Sequence, residues 1–304
     1  MRSVRALSAV IVAGAMALSA CGGSGKDDQD KPAAQGVTVQ AGNGNVTIPA
    51  TPKRIVSLAP THTETLFAIG AGSQVVAVDE YSTHPAEAPK TKLSGFKPNA
   101  EAIIGYKPDL VVISNDQDGI VKSLEKVKVP VLVEPAAAKL DEVYDQILDL
   151  GKATGRTAQA EQLTGSMRTK IQETVRGAAA AKGLSYYHEL DQQSHTVTSK
   201  TFIGQVYGLF GLRNVADAAD KTGGGYPQLS REALLKSNPD LVFLADTKCC
   251  GQTAATVAKR PGWAGLAAVK KGNVVELDDD IASRWGPRLP ELVTTIGDAV
   301  RKHK

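Results

Sequence analysis

Three histidines, a cysteine pair, a run of three aspartates and two arginines are the side chains of this 304-residue chain best suited to chemistry. His62, His84 and His188 fall near the ends of three predicted strands, where imidazoles could converge on one metal ion. No spacing ties them together, so three unrelated polar histidines remain the alternative. Cys249 and Cys250 are adjacent in Lys248-Cys249-Cys250-Gly251. Zinc sites normally space their cysteines by two or more residues, so a vicinal disulfide stiffening a loop is one reading and a metal or ligand contact the other. Asp278-Asp279-Asp280 lacks the spaced oxygen ligands of a calcium loop. Its place after a predicted strand turns at least one of the three toward whatever lies beyond the strand. Arg284 and Arg288, four apart at a helix start, suit either acidic groups of a ligand or solvent. There is no Gly-x-Ser-x-Gly, no glycine-rich phosphate loop and no His-Glu-x-x-His. Gly223-Gly224-Gly225 has no strand before it and no lysine after it. An enzyme is not expected, nor a cofactor.

The elements that must position these groups alternate. Strands are predicted over 54–58, 74–78, 110–113 and 131–133, with helices between them. Thr61-His62-Thr63-Glu64 has the capping-box spacing, and Leu66, Phe67 and Ile69 form the buried side of the helix it opens. Such alternation means an α/β class with mainly parallel sheets. From Leu140 the period becomes helical. One helix over 140–148 is interrupted by Gly151 and Gly155. A second runs over 157–181 on Leu163, Met167, Ile171 and Val175, reaching about 37 Å. Strands resume at 184–189 and 273–277, with helices over 201–210 and 287–302.

A twelve-residue stretch from Glu101 to Val112 aligns without a gap on Glu232 to Phe243, 131 residues later, with six identities. Each copy is a short helix led by a glutamate, a Pro-Asp turn and a buried strand. The period is too long for a solenoid and suggests two similar lobes joined by one long rigid helix. The expected organisation is a front lobe over 53–152, the linking helix over 153–183 and a back lobe over 184–304.

The first 20 residues stand apart. Arg2 and Arg5 precede an apolar run of about 15 residues, short of the roughly 20 that span a bilayer. Leu18-Ser19-Ala20-Cys21 comes next, the pattern of a lipoprotein signal peptide, with Cys21 as the acylated anchor on the outer face of a cell membrane. Residues 21–50 read as this anchor and a flexible tether. The chain has 35 Lys+Arg and 32 Asp+Glu. Removing Arg2 and Arg5 with the leader leaves 33 against 32, which gives no support to nucleic-acid binding.

In parallel sheets ligands lie beyond the carboxyl ends of the strands. The residues placed there are Thr61 and His62 after the first strand, then Tyr81, His84 and Phe96. The back half adds His188 and Phe202, Tyr226 before the second repeat copy, and Asp280, Arg284, Trp285 and Arg288. Aromatic residues make up only 5% of the chain, so finding several on polar loops points to a binding face. Tyr81, Tyr226 and Trp285 could instead cap the edge of the core.

Several local patterns add up to a resemblance. They are Ser57-Leu58-Ala59-Pro60-Thr61-His62-Thr63-Glu64, Tyr81-Ser82-Thr83-His84-Pro85, Lys107-Pro108-Asp109-Leu110-Val111, Tyr226-Pro227-Gln228-Leu229-Ser230-Arg231-Glu232, and Asp280 with Arg284, Pro287 and Arg288. From about Lys53 onward the chain resembles the cluster-III solute-binding proteins of ABC importers, the cobalamin and ferric siderophore type. The resemblance implies a monomer that takes a small molecule between two lobes and hands it to a permease dimer. It implies that Glu101 and Glu232, one per lobe, dock onto the permease, and that Phe96, Tyr226, Asp280 and Arg284 face the ligand. A corrinoid is the first expectation, and a ferric siderophore or haem in the same cleft the alternative. Direct metal binding through His62, His84 and His188, or a metal-dependent hydrolase on a similar frame, are readings of other classes. The family pattern has tryptophans where this chain has Phe96 and Tyr226, and it lacks the Cys-Cys-Gly loop.

Overall fold

The computed structural model describes residues 36–178 and 183–303. The leader and Cys21 lie outside them. The tether expected to reach residue 50 gives way earlier to an antiparallel hairpin, β1 (Val37–Ala41) and β2 (Gly44–Ile48), paired from Val37↔Ile48 to Ala41↔Gly44. The alternation Val37-Thr38-Val39 and Val46-Thr47-Ile48 around Gly42-Asn43 is a hairpin signal, which the polar composition before it obscured. Val39, Val46 and Ile48 are buried. At its tip Gly42 N donates to Val133 O (2.8 Å) and Asn43 Nδ2 to Val131 O (3.0 Å), so the hairpin covers an edge of the front sheet.

The front half runs β3 (Ile55–Ser57), α1 (Pro60–Ala68), β4 (Val75–Val78), α2 (Ala100–Gly105), β5 (Leu110–Ile113), α3 (Ile120–Glu125) and β6 (Val131–Val133). Its sheet is wholly parallel in the order β4-β3-β5-β6. Two long helices come next, α4 (Leu140–Thr154) and α5 (Thr157–Gly177). The back half runs β7 (Ser185–Glu189), α6 (Phe202–Gly208), β8 (Arg213–Asn214), α7 (Arg231–Ser237), β9 (Leu241–Leu244), α8 (Thr247–Cys250), α9 (Ala254–Ala258), α10 (Ala267–Lys270), β10 (Val274–Glu276), α11 (Asp279–Ala282) and α12 (Leu289–Lys302). Its parallel sheet has the order β10-β9-β7-β8. In both halves the first strand lies inside the sheet and pairs with the third. The repeat copies occupy matching places: α2 leads to β5, and α7 leads to β9. All four residues of β5 and of β9 are buried, as strands covered by helices on both faces must be.

Two sequence expectations about the connecting helices change. Gly151 does not interrupt α4; a Cβ there would lie 2.4 Å from the Cβ of Ala160, so this glycine lets α4 and α5 approach closely. Gly155, at φ +70°, ends α4 in the left-handed region. Helix α5 has 21 residues, about 31 Å. It buries Ala160, Thr164, Met167, Ile171 and Thr174, while Leu163 and Val175 are only partly covered. One apolar cluster runs without a break from Ile55 and Val112 through Tyr144, Met167 and Ile296 to Tyr186 and Phe243. A core shared by both halves resists large hinge opening, because parting the lobes would expose it.

Candidate functional site

A cavity of about 940 Å³ opens at the carboxyl ends of the front strands. Leu58 to Thr61 come after β3, Asp79 and Tyr81 after β4, Ser114 and Asn115 after β5, and Pro135 and Ala136 after β6; all of them line it. Asp280, Ser283, Arg284 and Trp285, from α11 and the turn after it, close the far wall. Gly95 also lines the cavity, and a Cβ on it would lie 2.4 Å from Leu58 O, so only glycine brings the Phe96 loop this close to the end of β3.

The aromatic side of the cavity is a T-shaped pair, Tyr81 and Phe96, with ring centroids 5.6 Å apart. They are 53% and 69% exposed, far above the core aromatics. Trp285 presents its ring while its Nε1 donates to Gln146 Oε1 at 3.1 Å. The polar side is built from below. Ser82 Oγ donates to Asp79, Thr63 Oγ1 donates to Ser57 Oγ at 2.9 Å, and the Thr63 and Ser82 hydroxyl oxygens lie 2.9 Å apart. Burial raises the pKa of Asp79, with its hydrogen bond from Ser82 opposing the rise.

The charges do not sit where the sequence suggested. Thr61 to Glu64 are not a capping box: α1 begins at Pro60, and all four residues lie inside it and are buried. Glu64 is 2% exposed and takes both arginines. Arg288 Nε and Nη2 donate to its two oxygens at 2.7 and 2.6 Å, and Arg284 Nη1 donates at 2.6 Å. Arg284 Nη2 also donates to Asp280 Oδ1 at 2.7 Å and to Tyr81 O at 3.2 Å. Arg284 thus reaches the cavity already paired with two carboxylates. Arg288 lies behind it, outside the lining, and its bonds to Glu64 raise its pKa. This ladder ties front-half α1 to the chain just before and at the start of α12.

Thr61, Tyr81, Phe96, Asp280, Arg284 and Trp285 are therefore brought together; the other expected residues are not. His62 is buried, and its Nε2–H donates to Glu134 O at 2.8 Å. His188 lies within β7 rather than on a loop, fully buried, and shares a 2.8 Å bond with the Tyr207 hydroxyl. Burial pushes both imidazoles down to about 4. His84 is exposed on the turn before cis-Pro85. Among the described residues no three histidine, cysteine or carboxylate side chains are placed to hold a metal ion, so the three-histidine metal reading fails. Phe202 packs against the core at the start of α6 and borders a separate small cavity. Tyr226 is 57% exposed on the back half, beyond the lining. Glu101 and Glu232 are exposed in the first turns of α2 and α7, whose N-caps are Asn99 and Ser230. Cys249 and Cys250 form a vicinal disulfide inside α8. Asp79, Ser114, Asn115 and Ser283 were missed, although the strand-end rule, applied to every strand, would have found the first three.

The periplasmic binding protein family profile matches residues 55–281. The chain belongs to the periplasmic binding protein family. This family member is 34% identical to the uncharacterized ABC transporter substrate-binding lipoprotein YvrC of Bacillus subtilis, over 96% of this chain and 95% of that protein. It is 30% identical to a cobalamin-binding protein of Halobacterium salinarum, over 85% of this chain and 72% of that protein. Its fold matches the periplasmic haem-binding protein RhuT of Roseiflexus sp. RS-1 in apo form, with a TM-score of 0.72 at 24% identity, covering 83% of this chain and all of that one. This periplasmic binding protein is thus the solute-binding component of an ABC importer and not an enzyme. It serves a permease by presenting a small molecule to it. No described helix is long and apolar enough to cross a membrane.

Proposed function

We propose that this binding protein captures a corrinoid in the cavity at the front strand ends and delivers it to its permease. The observation that carries the reading is the charge state of the wall. The cavity's one lining cation among the described residues, Arg284, is held by Glu64 and Asp280. A carboxylate-bearing iron chelate or haem would have to compete with those partners for it, and drawing Arg284 away from buried Glu64 carries a large cost. A corrinoid, whose rim is mostly carboxamide, meets Asp79, Asn115 and Ser114 with hydrogen bonds and lays its macrocycle against Tyr81, Phe96 and Trp285. The cobalamin-binding relative in Halobacterium salinarum supports the same choice.

Delivery is assigned to Glu101 and Glu232, one charge on each half at equivalent places, facing arginines of a permease dimer. Residues 1–20 act as the signal peptide and acylated Cys21 anchors a monomer to the outer face of the cell membrane, consistent with a lipoprotein relative. Purified protein is titrated with cyanocobalamin, haem, a ferric siderophore and ferric citrate, using tryptophan fluorescence as the readout. Saturable quenching by cyanocobalamin at micromolar levels or below supports the reading. Tighter binding of haem or a ferric chelate replaces it.

A further inference from the structure

The vicinal disulfide does not line the cavity, yet three carboxylates connect it to the wall. Helix α8 has four residues, too few to hold a helix unaided. Asp246, just before it, provides no cap: its carboxylate is buried and both oxygens lack partners. The start of α8 relies on Asp279 instead. That carboxylate accepts from the amides of Thr247, Lys248 and Cys249 at 2.8, 2.9 and 2.9 Å, and from Thr247 Oγ1 at 2.8 Å. Lys248 Nζ then reaches Asp278 at 2.7 Å and Asp280 Oδ2 at 3.2 Å. The other oxygen of Asp280 accepts from Arg284 in the cavity wall. Asp280 is therefore held between the cavity arginine on one side and α8 on the other.

We propose that α8 positions the Asp280–Arg284 wall of the ligand site, with Lys248 as the positioning residue, and that the state of the Cys249–Cys250 bond sets how firmly it does so. Both cysteines are exposed, so an external dithiol can reach them. One of its thiolates attacks a cysteine sulfur and the protein S–S bond breaks. The resulting mixed disulfide is attacked at the reductant's sulfur by its second thiolate, which expels the protein cysteine and leaves two protein thiols and a cyclised, oxidised reductant, a transfer of two electrons and two protons. Opening the small ring between neighbouring residues returns backbone freedom to α8. Its amides leave Asp279, Lys248 releases Asp280, and the Asp280 anchor of Arg284 loosens while that of Glu64 holds.

The affinity half of the inference rests on the proposed corrinoid function; the conformational half does not. The full-length protein is compared oxidised, and reduced with a dithiol then blocked with iodoacetamide. A Cys249→Ser, Cys250→Ser double variant guards against effects of the blocking group. Hydrogen exchange over 247–251 and 278–285 should quicken about tenfold on reduction while that of 55–58 holds. Cyanocobalamin should bind about tenfold more weakly. Lys248→Met should weaken binding similarly with the disulfide intact, and Lys248→Arg should restore it. Unchanged exchange at 278–285 on reduction, or full affinity in Lys248→Met, overturns the inference. If cyanocobalamin fails to bind even the oxidised protein, the corrinoid reading fails, and exchange at 278–285 still decides the positioning role.

Discussion

The two halves share a strand order and a repeated helix–turn–strand, but their strand ends do opposite things. At the repeat offset of 131 residues, Asn115 of the front half corresponds to Asp246 of the back half. Asn115 lines the open cavity; Asp246 is fully buried. Around Asp246 the back half fills the space a cavity would take. Glu189, at the end of β7, is fully buried and takes a bidentate pair from Arg260 at 2.6 and 2.7 Å, while Gln252 accepts from Arg260 at 2.7 Å. One sheet end is left open and floored by a charge ladder, and the other is closed by its own side chains. Topology alone does not make a binding site; the side chains at the strand ends decide whether one opens. In the proposed function the front half acts as the receptor, and the back half contributes a wall of the cavity through α11 and the chain leading into α12.

Removing one partner of the buried ion pairs, in the floor or in the closure, tests that division most strongly. Glu64→Ala strips Arg284 and Arg288 of their shared partner at a buried site. It should cost about 3–5 kcal/mol in denaturant unfolding, and cyanocobalamin binding should go with it. Arg260→Met leaves Glu189 buried and unpaired and removes the stacking of Arg260 on Trp263. Its stability loss should be about 3 kcal/mol, yet its cyanocobalamin Kd should stay within about twofold of the parent. An Arg260→Met protein that folds but has lost its ligand would erase the distinction between floor and closure.

Titration offers a second comparison, because each half buries one histidine and, near its strand ends, an acid pushed up to about 7 or 8. His62 and His188 are held neutral down to about 4 against an ordinary 6.5, through burial. Below pH 6.5 the unfolded chain binds those protons and the folded one does not, so stability rises with pH from about 4 to 6.5 on their account. Burial pushes Glu134 up to about 8 and Asp246 up to about 7, with Asp149 and Glu189 adding to the respective shifts. The folded protein keeps those protons after the unfolded chain has lost them, so stability falls with pH from about 4 to the folded values. Between about pH 4.5 and 6.5 the two opposing sets cancel. From pH 6.5 to 8 only the acids act, and unfolding free energy should fall by about 2 kcal/mol. Glu134→Gln should remove the part of the fall above pH 7, and Asp246→Asn should lessen the part below. A profile indifferent to both variants would show that neither buried acid carries a proton in the folded state.

The architecture was legible where strands are buried on both faces. The segments 110–113 and 131–133 read as short apolar runs and are strands over the same residues. Repetition also survived translation into structure, since both copies occupy the same place in their sheets. What escaped was decided by distance along the chain. Glu64 looks like a local cap because a Thr-x-x-Glu spacing is satisfied within four residues, whereas its partners Arg284 and Arg288 lie 220 and 224 positions away. The two arginines were legible as charges that could meet a ligand or solvent, but both are paired with Glu64, a residue no local pattern could join to them. Phe202 and His188 failed for the related reason that strand and helix ends set position along an element, not the face on which a side chain emerges.

The smallest expected effect sharpens the comparison furthest. Phe96 and Tyr226 are counterparts in exposure, at 69% and 57%, but only Phe96 lines the cavity, where it meets Tyr81 edge to face. Both are too exposed to matter much for folding, so each alanine variant should unfold within about 0.5 kcal/mol of the parent. Ligand binding separates them. Phe96→Ala removes a ring from the face against which the macrocycle would lie and should weaken cyanocobalamin by about tenfold, or about 1.4 kcal/mol. Tyr226→Ala should weaken it only about threefold, because Tyr226 lies outside the cavity lining and would meet the ligand only at its margin. Equal losses would mean that the bound ligand touches both halves alike and that the open front end is only an entrance. A larger loss at Tyr226 would invert the division, making the closed back half the principal contact and the front cavity the space a smaller portion of the ligand fills.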